Sequence, residues 1–374
     1  MSLLLSPYTL RDVTLRNRLV VSPMCQYSAR HGVANDWHFA HLARFALGGF
    51  GAVMVEATGV VPQGRITYAC LGLWEDAQIA PLARIAAFLK SQGAAAAIQL
   101  GHAGRKASTP LWWRGGFTER EDEKASLGFE HWQPVGPSAL AQMDHPDYQT
   151  PRALTLAEVQ ALPDQFAKAV ARADRAGFDI VELHGAHGYL INQFLSPIAN
   201  QRTDAYGGSR ENRMRLVLEI IEASRAVWPA GKPLFLRLSV QDALPGGWSV
   251  ADTLVLAAQA RALGVDVIDC SSGGFAGAAI TPAPAYQVPL AKAVRDSGVA
   301  TMAVGLITTP AQAEAALTSG SADLVALGRT ALDDPNFPLH AAAALGDSVD
   351  HWPKQAGFAV RLRDAALARA ALAK

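Results

Sequence analysis

The sequence predicts an α/β fold, a (β/α)8 barrel of eight parallel strands with helices outside, and three observations lead there. Eight short runs rich in Val, Ile, Leu and Ala recur along the chain, each followed by a loop and then a helical stretch. The runs are mainly apolar rather than apolar only at every second position, as strands covered on both faces are. Their loops carry Gly, Ser or His. Eight such units close into a TIM barrel; an open doubly wound sheet is the alternative.

Taken in order, the chain opens with Tyr8 to Leu10 and Val13 to Leu15, a hairpin turning at Arg11-Asp12. The first barrel strand is Leu19-Val20-Val21, stopped by Pro23, which cannot donate to a central ladder. The next seven are Ala52 to Ala57, Ala95 to Leu100, Ile180 to Leu183, Leu234 to Leu238, Val265 to Cys270, Ala300 to Val304 and Asp323 to Leu327. Between them lie helices with readable ends. Ser249 with Asp252 forms a capping box, and that helix ends at Gly264. Thr309, Pro310 and Gln312 occupy the N-cap, N1 and N3 positions of another, which runs to Gly320. Thr155 and Glu158 cap a single turn, with the main helix expected to start at Pro163.

The chain has 374 residues, more than the roughly 250 typical of this barrel, and the excess lies between the third and fourth strands. This loop, about 103–152, holds Trp112, Trp113, Trp132 and a charged tract from Glu119 to Lys124, and reads as a lid over the barrel mouth. With a C-terminal tail at about 346–374, the whole of 1–374 is expected to be one domain.

Composition narrows the function. Lys plus Arg number 33 and Asp plus Glu number 33, so no net field attracts nucleic acid or an anionic membrane, and a small ligand suits better. No apolar run approaches the ~20 residues of a membrane span, and Met1 to Leu10 lacks a signal peptide's pattern; a soluble, cytoplasmic protein is expected. Cys25, Cys70 and Cys270 are too scattered for a disulfide framework or a structural zinc ribbon.

In such a barrel the active site lies at the C-terminal strand ends, so these can be read as one ring. They are Ser22-Pro23-Met24-Cys25 with Tyr27; Glu56-Ala57-Thr58; Gln99 with His102; His184-Gly185-Ala186-His187 with Tyr189; Arg237; Ser271-Ser272-Gly273-Gly274; Gly305; and Gly328-Arg329. Gly305 lets backbone amides approach, Thr309 opens a helix with an electropositive end, and Arg329 can fork onto phosphate oxygens. A phosphate alone would equally suit an isomerase or lyase without flavin. The remaining ends extend the ligand: Gln99 can donate and accept at a uracil-like edge, Arg237 can hold negative charge developing on such a ring, and Ala57 and Gly273 leave room for a flat tricycle. Together they outline a site for flavin mononucleotide (FMN), in an enzyme or in a non-catalytic flavin-binding protein.

Five stretches carry a family resemblance: Asn17-Arg18 before Ser22-Pro23-Met24-Cys25-Gln26-Tyr27; Pro62-Gln63-Gly64-Arg65-Ile66; Gln99-Leu100-Gly101-His102-Ala103-Gly104-Arg105-Lys106; His184-Gly185-Ala186-His187-Gly188-Tyr189-Leu190; and Gln193 to Pro197 continuing through Arg202 to Ser209. With these the chain, from Pro7 to about His340, resembles the Old Yellow Enzyme flavoproteins, in the branch of xenobiotic reductases and thermophilic-type ene-reductases. The resemblance implies FMN bound by Ser22, Pro23, Met24, Cys25, Ala57, Gln99, Arg237, Gly328 and Arg329, with Cys25 tuning the flavin potential. It implies NADPH or NADH as donor to the flavin and an α,β-unsaturated carbonyl, or a related activated alkene, as acceptor. His184 and His187 would hold the carbonyl oxygen, Tyr189 would protonate the alkene carbon, and Tyr27 would line the pocket. A homodimer or homotetramer is implied as well.

Read without the family, His184 and His187 also fit metal ligation. A zinc site lacks its third ligand, because Glu182 either points away or, sharing their face, is blocked by Leu183; no metal is expected. Tyr189 alone could be a packing aromatic, Arg105 and Lys106 are loop charges or nicotinamide-phosphate contacts, and Arg202 to Arg215 reads as structural, braced by Asp204 and Arg213. One departure stands out. Relatives that share a pocket between subunits place an arginine after a Pro-x-Gln motif, and here Pro353-Lys354-Gln355 is followed by Ala356-Gly357-Phe358, with Phe358 and Arg361 the nearest residues of the needed kinds.

Overall fold

The computed structural model describes residues 2–111, 131–143, 148–347 and 350–372. Its centre is a closed barrel of eight parallel strands: β3 (Leu19–Val21), β4 (Ala52–Gly59), β5 (Ala95–Gly101), β8 (Ile180–Gly185), β9 (Leu234–Ser239), β10 (Val267–Ser271), β11 (Ala300–Ala303) and β12 (Leu324–Leu327). Closure comes from β12 pairing with β3, Val325 opposite Leu19. These are the eight apolar runs of the sequence, with ends moved by one or two residues. The antiparallel hairpin β1 (Tyr8–Leu10) and β2 (Val13–Leu15) turns at Arg11, whose φ is 50°, and its Leu10 and Leu15 join the barrel's interior cluster as a floor.

Side chains inside the barrel stand in tiers, because alternate residues of a strand share a face. Ile180, Phe235 and Val267 belong to the apolar lower cluster with Met54, Ala97 and Met302. Two residues further along the same strands come Glu182, Arg237 and Asp269, and two further still His184, Ser239 and Ser271. The other strand face packs against the helices, where Phe166, Val170, Ile220 and Leu256 are buried in the large outer core.

All three expected capping boxes form, at Thr155, Ser249 and Thr309. Pro163, however, does not start a helix: one helix runs from Leu156 to Arg175 with the proline inside it. An interior proline costs about 3 kcal/mol. The helix withstands this because Val159, Leu162, Phe166 and Val170 are buried along one stripe, each worth roughly 1.5–3 kcal/mol.

The excursion after β5 begins with a 3-10 turn, Gly104–Lys106, and returns through β6 (Val135–Gly136) paired with β7 (Arg152–Ala153). Trp112, Trp113 and the tract from Glu119 to Lys124 lie outside the described residues. Trp132 donates its indole N–H to the Gln63 carbonyl and stacks on Arg65. The stretch from Arg202 is braced as expected, Arg202 pairing with Asp204 and Arg213 donating to the Leu195 carbonyl. A final helix, Lys354–Leu372, leaves Phe358 exposed, and Arg361 pairs with Asp350 of the same chain. No helix among the described residues is long and apolar enough to cross a membrane.

Candidate active site

Two hollows open at the C-terminal strand ends. One, of about 190 Å³, is bounded by Arg237, Gln287, Gly305, Leu306, Gly328 and Arg329. Gly305 has φ +116°, and a Cβ there would stand 2.8 Å from Gln287 Nε2, so only glycine suits this turn. Gly328 has nothing closer than 3.7 Å to an added Cβ, which leaves its approach open. Arg329 is exposed at the rim, at the start of a short helix. The arrangement is a glycine-backed anion cradle with two guanidinium groups. Gln287, buried between Ser272 Oγ at 2.6 Å and the Val304 carbonyl, was invisible in the sequence, since it comes from the long loop after β10.

The second hollow is bounded by Ala57, Ile66, His102, His184 and Tyr189. Ala57 is the half-buried position of β4, between buried Glu56 and Thr58, and Cys25, Tyr27 and Tyr189 pack on the small cluster of Ile66, Cys70, Ala103 and Ala107. Pro23, Met24 and Cys25 are half-buried. Glu56 Oε2 accepts from the Gln26 amide at 3.0 Å and His38 lies 3.4 Å from Oε1, which pins the segment that carries Cys25 and Tyr27. Tyr27 adopts φ 47°, a left-handed conformation rare for an aromatic residue. Burial pushes the Cys25 thiol well up, with Glu56 and Cys70 adding to it, and raises the Tyr27 phenol.

His184, His187 and Tyr189 form a group of rings: His184 meets His187 edge-on at 5.2 Å and Tyr189 at 5.0 Å. His187 also has a left-handed φ of 60°. It is held by Ser239 Oγ on its N–H at 2.9 Å, by Ser271 Oγ at 2.7 Å from Nε2, and by Lys106, whose ammonium donates to the His187 and Gly274 carbonyls at 2.7 and 2.5 Å. Burial, then Arg237, pushes both histidines well below the usual range, so they are neutral at pH 7. Burial raises the Tyr189 phenol and keeps it protonated. Burial and then Arg105 lower Lys106 to about 8.

Lys106 and Arg105 spend donors on carbonyls within the protein, the latter on Leu140 and Ala141, which favours a bracing role over a phosphate contact. Gly273 also differs from its sequence reading. Its φ is +70° and a Cβ would meet Ile280 at 2.4 Å, so the space beside it is filled by the chain itself. Glu182 shares the interior face of β8 with His184, by simple alternation, and is not blocked by Leu183; Gln99 Nε2 donates to its Oε1 at 2.8 Å. No group of three potential metal ligands occurs among the described residues.

Ser22 Oγ and His184 Nδ1 are buried without a hydrogen-bond partner. Buried polar atoms are rarely left so, and these two at the strand ends mark where a polar ligand belongs. An amide at Gln99, a guanidinium at Arg237 and the anion cradle suit the pyrimidine edge and phosphate of FMN.

The chain is similar to known flavin oxidoreductases. A family described as NADH:flavin oxidoreductase / NADH oxidase matches residues 3–347. An NADPH dehydrogenase of Geobacillus thermodenitrificans (strain NG80-2) is 43% identical over 352 residues, 93% of this chain and 96% of that one. Another, from Bacillus cytotoxicus, is 44% identical over 346 residues, covering 92% and 93%. Among solved structures, morphinone reductase superposes with a TM-score of 0.75 at 27% identity, over 95% of this chain and 93% of its own. That enzyme is also known in complex with tetrahydroNAD. A 2-naphthoyl-CoA reductase complex reaches 0.81 at 26% identity over 92% of this chain, which spans 52% of that longer protein.

Proposed function

The chain belongs to the NADH:flavin oxidoreductase / NADH oxidase family, the FMN-dependent NAD(P)H oxidoreductases of Old Yellow Enzyme type, and from that premise we propose that it is an ene-reductase for α,β-unsaturated carbonyl compounds. The observation that supports this most is the grouping of two neutral histidines and a protonated tyrosine at the barrel mouth. FMN, when bound, would supply the hydride chemistry between a nicotinamide and the β-carbon of the alkene.

The protein's residues do the rest. Ser22, Pro23, Met24, Cys25, Ala57, Gln99 and Arg237 hold the ring, and Gly305, Gly328 and Arg329 hold the phosphate. His184 and His187 each present one N–H to the substrate carbonyl oxygen, where negative charge grows; fixed donors in a dry site stabilise it without reorganisation. Tyr189 gives its proton to the α-carbon as general acid. Tyr27 lines the pocket beside Cys25. The relatives' names favour NADPH as donor. The reading extends to one domain over 1–374 with the excursion at 103–152 as its lid, and to a cytoplasmic homo-oligomer.

The test is direct. Purified protein supplied with FMN turns yellow and oxidises NADPH when cyclohexenone is added. Protein that stays colourless would return the barrel to the phosphate-binding isomerases and lyases, and yellow protein without turnover would make it a flavin carrier. Replacing His184 and His187 together by alanine should weaken phenol binding far more than it lowers FMN content.

A further inference from the structure

Directly beneath the mouth, the middle tier places two carboxyl groups and one guanidinium in a closed interior. Glu182 and Asp269 have no exposed surface, and Arg237 is 7% exposed. Below them lies the apolar cluster of Ile180, Phe235 and Val267. Asp269 Oδ2 is 3.1 Å from Arg237 Nε, an ion-pair distance whose angle falls short of a hydrogen bond. Glu182 Oε1 takes its hydrogen bond from the neutral amide of Gln99, and its Oε2 has no partner.

We propose that Glu182 is a neutral carboxylic acid and Asp269 a carboxylate, and that the two are positioning residues which aim Gln99 and Arg237 at the FMN ring and set its reduction potential. The effect on potential rests on the FMN reading above; the proton on Glu182 does not.

Charge balance makes the assignment. A guanidinium keeps its proton inside a protein, so one carboxylate is its counter-ion, and Asp269 has the shorter claim. A second carboxylate would be an uncompensated buried charge, which is strongly disfavoured. Burial raises both acids, and the charge on Asp269 raises Glu182 further, so the proton belongs on Glu182.

Each acid also fixes a direction. With its proton on Oε2, Glu182 accepts at Oε1 from the NH2 end of Gln99, which leaves the amide oxygen for the ligand. Asp269 engages Arg237 through Nε, which leaves the two terminal nitrogens for the ring. The tier is then neutral overall, with its positive end toward the mouth.

Two isosteric variants of the holoenzyme separate the roles. E182Q keeps a neutral group with an oxygen for Gln99, and should change the ratio of reduced to oxidised FMN affinity by less than about twofold. D269N leaves Arg237 unbalanced, and should favour reduced FMN by about tenfold, a rise of about 30 mV for a two-electron couple. Equal rises in both variants, or no rise in D269N, would overturn the inference. Infrared spectroscopy gives a measurement that does not depend on D269N folding: a protonated-carboxyl C=O band is expected in the wild type and absent from E182Q, and its absence from the wild type would refute the assignment. A wild type that binds no FMN would overturn the functional reading instead, with the infrared band still deciding where the proton sits.

Discussion

Ser271 Oγ lies 2.7 Å from His187 Nε2 and 3.4 Å from Gln287 Oε1. The hydroxyl can donate to Nε2 or accept from it, so the contact fixes the orientation of the His187 ring in either tautomer. Removing the hydroxyl frees the ring to turn away from the substrate oxygen. Ser271→Ala should weaken phenol binding about five- to tenfold, the worth of about one hydrogen bond, with FMN content unchanged. Titration of the holoenzyme by absorbance checks both.

Tyr189→Phe removes the proton source and little else, since the ring keeps its edge contact with His184. Turnover of an enone should fall about 10²–10⁴-fold, the usual contribution of a general acid. Reduction of the enzyme by NADPH, followed anaerobically in a stopped-flow instrument, should keep its rate; a parallel loss in both halves would count against the assigned role.

Gly305→Ala strains the cradle twice, through φ +116° and through a Cβ 2.8 Å from Gln287 Nε2. Strain of this kind costs about 1–3 kcal/mol, so FMN affinity should fall about five- to a hundredfold. Isothermal titration of apoprotein with FMN would show it, and circular dichroism would show whether the barrel itself survives.

His102 is 5% exposed, and its Nδ1 accepts from the Gly104 amide at 2.9 Å. Burial lowers it from 6.5 to about 4. The unfolded chain thus takes up this proton first as pH falls. The stability contributed by the neutral ring is whole above pH 6.5, declines below it, and is gone once pH has passed through about 4. The change is of order 3 kcal/mol. His102→Asn keeps an acceptor for Gly104 and cannot titrate, so its urea midpoint should fall less than the wild type's between about pH 7 and about pH 4.

Much of this molecule is legible along the chain. The strands from Ala52 and Ala95 declare themselves as mainly apolar runs because both of their faces are covered, and Thr309 with Gln312 marks a helix start because a capping box is a contact between residues three apart. The ring of strand ends, Ser22 and Gln99 through Arg329, follows from the same local patterns once eight strands are assumed to close.

Other features arise only when the barrel closes. Gly273 is glycine because its φ is +70°, set by a loop that local pattern does not shape. Pro163 sits in mid-helix because distant packing along Val159 and Phe166 outweighs a local penalty. Gln99, Glu182, Arg237 and Asp269 come from four strands, and their meeting depends on the stagger between those strands. Period-two alternation in the sequence determines which face of its own strand each occupies. Only the register of the closed barrel brings them to one level, and burial at that level decides which of the two acids keeps a proton.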